Sequence, residues 1–122
     1  MARRFREGKW VWVEREGKGP KGVPCGAYVF FSHDRSLLER IVELEIEDGG
    51  PDVLGARISE RPAKPRGEHV LELFARGESM EASMAGRYAH CSGLRFSGWR
   101  GTGVTTKAFF RKMCLYKRDL MA

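Results

Sequence analysis

The sequence contains no asparagine and no glutamine. These two amides deamidate on heating, and their loss beside plentiful ion-pairing side chains is what proteins of high-temperature sources show. A thermophilic source is therefore expected. Arginine outnumbers lysine by 15 to 7, which a GC-rich genome would also produce, but such a genome does not by itself remove every glutamine. No apolar run reaches the roughly 18 residues that a membrane-spanning helix requires, so no membrane partner is expected. The basic start, Met1 to Arg6, leads into no apolar stretch of the kind a secretory signal carries. A cytoplasmic location follows as the expectation.

Cysteine is scarce. Cys25, Cys91 and Cys114 are odd in number and widely spaced, which fits neither a disulfide framework nor a Cys-x-x-Cys zinc knuckle. Small buried thiols in a reducing compartment are expected. His33, His69 and His90 show no metal-ligand spacing, and no cofactor is expected. No catalytic motif is recognisable. His33 and Asp34, at a helix entrance, could be an orienting pair for acid–base chemistry, and helix capping explains Asp34 as well. Glu43, Glu45 and Glu47 read as a solvated face.

What remains is the ordinary composition of one globular domain spanning residues 1–122. The chain carries a formal charge of +6, unevenly placed. Residues 1–22 contribute +4, residues 23–60 contribute −5 and residues 61–122 contribute +7, which points to a basic face set apart from an acidic helix.

Residues 9–14, with Trp10 and Trp12 on one side and Val11 and Val13 on the other, read as an edge strand. Residues 27–31 read as a second strand. Ser36-Leu37-Leu38-Glu39 has the form of a capping box opening a helix that ends at Asp48-Gly49-Gly50-Pro51. Strands are expected at 53–59 and 69–74, joined by a basic hairpin loop containing Arg61, Lys64 and Arg66. A second helix is expected from near Ser79, with Met80, Met84, Tyr88 and Cys91 as its apolar stripe and Gly93 as its C′ residue. One or two strands are expected within residues 95–118. The order predicts an α+β fold: an antiparallel sheet with two helices on one face, a split βαβ (βαββαβ) core, and added N-terminal and C-terminal strands.

Residues 95–118 hold Arg95, Arg100, Lys107, Arg111, Lys112, Lys117 and Arg118 with no acid among them, interleaved with Phe96, Trp99, Phe109, Phe110 and Tyr116. Cations neutralise phosphates and flat rings stack on unpaired bases, so this segment predicts nucleic-acid binding, of RNA or single strands. The candidate contacts are Arg95, Trp99, Arg100, Lys107, Phe109, Arg111 and Lys112, with Arg61, Lys64 and Arg66 at the rim. The opposing reading makes the rings core residues of strands. The run from Gly98 to Lys107 lacks the Gly-Lys-Ser/Thr of a phosphate loop, although its amides, threonines and Arg100 can hold one phosphate.

Gly26-Ala27-Tyr28-Val29-Phe30-Phe31, an acidic helix, Val53-Leu54-Gly55-Ala56-Arg57-Ile58-Ser59 and Glu68-His69-Val70-Leu71 resemble the basophilic leukaemia expressed protein family over roughly residues 9–94. That resemblance implies a fold like that of the cap-binding translation initiation factor, and it implies no site residue. Two other functions compete. An apolar edge strand at Trp10–Val13 would favour a self-associating protein, a homodimer covering that edge. An enzyme acting on a phosphorylated substrate would use Arg100, Lys107 and the glycine turn.

Overall fold

The computed structural model describes residues 2–15, 26–47, 53–63, 65–75 and 80–101. The elements follow in the order β1 (Ala2–Glu7), β2 (Trp10–Arg15), β3 (Gly26–Ser32), α1 (Arg35–Val42), a π-helical segment (Glu43–Glu47), β4 (Val53–Ser59), β5 (His69–Ala75), α2 (Glu81–Tyr88) and β6 (Leu94–Arg100). The fold is α+β. Among the described residues six strands form one antiparallel sheet in the order β1-β2-β4-β5-β3-β6.

Alternation along each strand divides the apolar side chains between the two faces of the sheet. On one face Val13, Tyr28, Phe30, Ala56, Ile58, Leu71 and Leu73 form a single cluster with Leu38, Ile41 and Val42 of α1 and Met84 and Tyr88 of α2. Each fully buried Phe, Leu or Ile in it contributes ~1.5–3 kcal/mol relative to exposure. On the other face Trp12, Ala27, Leu54 and Phe74 are buried, with Phe5 and Trp10 packed against them. Phe5, Trp12 and Phe74 lie nearly parallel in a row, at 6.3 and 5.8 Å between centroids. The guanidinium of Arg57 sits 3.9 Å over Trp10 and donates to Glu72 at 2.5 Å, so this charge is both stacked and paired.

The tryptophan strand is not at the edge. The basic N-terminal segment, expected only to lack a signal, forms β1 and pairs with β2 from Ala2↔Arg15 to Glu7↔Trp10. A two-residue turn, Gly8-Lys9, joins them, with Gly8 at φ 63° in the left-handed region such hairpins use. β1 therefore fills the side of β2 on which the homodimer expectation rested.

Two helix boundaries also differ from expectation. Asp34, not Ser36, caps α1, its carboxylate accepting from the Ser36 amide at 2.9 Å. Both residue types cap well, and the chain begins to coil two residues sooner. Gly93 has positive φ (81°), as expected, but lies beyond the helix in a turn closed by Leu94 N–H donating to Cys91 O at 3.3 Å. α2 begins with the Met80 amide donating to the Tyr28 hydroxyl at 3.0 Å; Ser79 lies outside the described residues.

Glu45 is not solvated. It falls on the stripe of α1 continued by Ile46, is 1% exposed, and accepts from the Tyr88 hydroxyl at 2.5 Å and from Arg87. Burial, together with the bond to this carboxylate, pushes the Tyr88 hydroxyl well above the usual tyrosine range.

Candidate nucleic-acid interface

β6 lies at the end of the sheet order, and it is irregular. Val29 pairs with Gly98 while Phe30 pairs with Phe96, so Ser97 is an extra residue bulging from the ladder. Gly98 at φ 86° supplies the left-handed conformation that such bulges need. The bulge has a consequence for every side chain around it. In a regular strand residues three or five apart point to opposite faces. Here Phe96 and Trp99 both pack on the helix-bearing face, against Phe30 at 4.8 Å and Tyr28 at 4.9 Å. Arg95, paired with Phe31, and Arg100, paired with Ala27, both turn to the opposite face.

The expected stacking ring and the expected phosphate contacts are thereby separated: Trp99 is half-buried beside the core and does not share a face with Arg95 and Arg100. The ring that does share it is Phe31. It is half-buried, with the Arg95 guanidinium 4.1 Å from its centroid and that of Arg100 at 6.0 Å. The doublet Phe30-Phe31 held the signal for this, because consecutive strand residues face opposite ways and only one of the two rings can join the helix-side core.

The β4–β5 loop closes over Phe31. An isolated bridge pairs Ala63 with Glu68, and the Gly67 amide donates to Ala63 O at 2.8 Å, with Gly67 at φ 70°. His33 Nδ1 lies 3.0 Å from Gly67 O and donates to it, tying the loop to the entrance of α1. Asp34 is engaged as the helix cap, while His33 Nδ1 is oriented by Gly67 O. Phe31, Ala63, Pro65, Arg66, Glu68 and Arg95 line a cleft of about 200 Å³.

Within the cleft Arg95 donates to Glu68 through Nη2 at 2.6 Å and, more weakly, through Nε at 3.5 Å. That hydrogen bond holds the Glu68 carboxyl below the usual carboxylate range; partial desolvation opposes it, and the charges of Arg95, His33 and Arg66 add to it. Elsewhere among the described residues arginines are mostly paired: Arg4 and Arg35 with Glu39, Arg6 with Glu60, Arg57 with Glu72, Arg87 with Glu45. Arg40 of α1, and Arg61, Arg66 and Arg100, have no ion pair among the described residues. Arg61 and Arg66 belong to the β4–β5 loop, exposed, while Arg100 ends the strand beside Phe31. Lys64, Lys107, Phe109, Arg111 and Lys112 lie outside the described residues.

Among the described residues no group of three or more His, Cys, Asp or Glu side chains is arranged to hold a metal ion, and no helix is long and apolar enough to cross a membrane. No family model matches the chain, and no curated protein matches it either.

Proposed function

We propose that the chain binds single-stranded nucleic acid, RNA or DNA, through the cleft around Phe31. The observation that carries this reading is one aromatic ring with two guanidinium groups over it, at 4.1 and 6.0 Å, on the sheet face away from the helices. Phe31 stacks on an unpaired base, worth ~1–3 kcal/mol. Arg95 and Arg100 meet the adjacent phosphates, and Arg61 and Arg66 meet the strand as it leaves the sheet. Lys64, Lys107, Arg111 and Lys112 extend the cationic path in this proposal, and Phe109 supplies a second ring. Trp99 acts indirectly, by fixing β6 through its packing on Tyr28.

The strand order β4-β5-β3-β6, with α1 after β3 and α2 after β5, supports reading residues 26–100 as a split βαβ core extended by the β1–β2 hairpin. The likeness to the basophilic leukaemia expressed protein family is a proposal of fold alone.

Filter binding with a short single-stranded RNA tests the function. Retention at low salt is expected, with log K falling linearly against log salt by about 0.7 per phosphate contact. A chain that retains neither RNA nor DNA at low salt does not have this function.

A further inference from the structure

Glu68 is the group in the cleft that a simple phosphate-binding surface would not contain. Its carboxylate takes two guanidinium nitrogens of Arg95, at 2.6 and 3.5 Å, as a phosphate oxygen pair would. Arg66 lines the same cleft, and His33 is anchored at its lip by Gly67 O. A carboxylate with a single negative charge is thus already present where an anion would bind.

An internal phosphodiester also carries one negative charge. Exchanging Glu68 for it on Arg95 replaces one monoanion by another and gains little. A phosphate monoester carries about −1.5 to −2 at neutral pH and has three strong acceptor oxygens. It engages Arg95 and Arg66 together, whereas Glu68 forms its ion pair with Arg95 and meets Arg66 only through the longer-range attraction of its charge. The cleft, at about 200 Å³, is also smaller than the ~300–1,000 Å³ of ordinary ligand pockets, so it suits one terminal unit better than several nucleotides of a passing strand.

Resting on the nucleic-acid reading above, we propose that the cleft takes the phosphorylated end of a strand. The terminal phosphate monoester lies between Arg95 and Arg66, the terminal base lies against Phe31, and Glu68 discriminates against ordinary phosphodiesters by holding Arg95 until a more highly charged group displaces it.

The test uses one single-stranded RNA sequence in three forms, with a 5′-phosphate, with a 3′-phosphate and with hydroxyls at both ends, each bound to the full chain and followed by fluorescence anisotropy. One phosphorylated form is expected to bind about tenfold more tightly than the hydroxyl form, the equivalent of one charge-assisted contact. Glu68→Gln narrows that ratio by strengthening the hydroxyl form. Arg66→Ala, on an exposed loop, narrows it by weakening the phosphorylated one. Equal binding of all three forms, with retention intact, overturns the end-recognition proposal and leaves the nucleic-acid reading standing. A Glu68→Gln protein that keeps the ratio removes the role of Glu68. A nucleoside monophosphate that competes as strongly as the phosphorylated strand takes the strand out of the proposal, and failure to retain any strand removes both readings.

Discussion

Gly26 faces the carbonyl of Arg100 so closely that a Cβ at residue 26 would lie 2.2 Å from that oxygen and 2.7 Å from the Cα of Gly101. Both obstacles are backbone atoms, which cannot swing aside as a side-chain end can. Gly26→Ala must therefore push the end of β6 away from β3. A loss of ~1–3 kcal/mol, the usual cost of forcing extra volume into a packed site, is expected in urea unfolding. Because Arg100 moves with that end, the proposed strand binding is expected to weaken in the same variant, as filter binding would show.

Gly98 tests the bulge from the other side. A Cβ there would come 3.0 Å from the Glu81 carboxylate, the far end of a flexible side chain, so space is not the main obstacle. The obstacle is φ 86°, which costs a side-chain-bearing residue ~1–2 kcal/mol. Gly98→Ala is expected to lower stability by about that much. Cross-strand contacts measured by NMR report whether the Val29–Gly98 register survives; a protein with unchanged stability and register would mean that the bulge does not depend on this glycine.

The bond from Tyr88 to buried Glu45 sets an alkaline limit. The folded-state pKa of Tyr88 is raised above its ordinary 10.0, so its contribution is complete below pH 10 and is lost as pH rises toward the folded value. The thermal midpoint of the wild type should fall above pH 10 more steeply than that of Tyr88→Phe. At neutral pH the variant is expected to be less stable by ~1–2 kcal/mol, because a buried carboxylate loses one donor. Parallel pH profiles for the two proteins would contradict this.

Glu68 gives the opposite sign. Its folded pKa is lowered from 4.5, so the ion pair with Arg95 stabilises the fold above pH 4.5 and ceases to do so as pH falls through the lowered folded value. The difference in thermal midpoint between wild type and Glu68→Gln is expected at neutral pH and should vanish in acid. A difference that persists in acid would assign the effect to packing.

Much of the frame could be read in the residues. Short apolar runs mark β2, β3, β4 and β5, continuous rather than alternating in β3 and β4 because both faces of those strands are buried, and the helical spacing of Met80, Met84 and Tyr88 marks α2. β1 escaped because Arg3, Arg4 and Arg6 break any apolar alternation, and its stability comes from pairing with β2. The burial of Glu45 is not legible because a carboxylate in sequence ordinarily signals exposure; the partners that make its burial tolerable, Arg87 and Tyr88, are more than forty residues away in sequence. Of the candidate contacts, Arg95, Arg100 and Arg66 were legible as cations. The phase shift at Ser97 was not, and it decides that Phe31 stands with them while Trp99 does not.

Arg57, neutralised by Glu72 and roofed by Trp10, has a wider consequence. It leaves the cation on the β2–β4–β5 part of the sheet's helix-free side paired, while Arg100 at the end of β6 has no ion pair among the described residues. On the proposed nucleic-acid reading, a polyanion would be drawn toward the β6 side of that face before any contact forms.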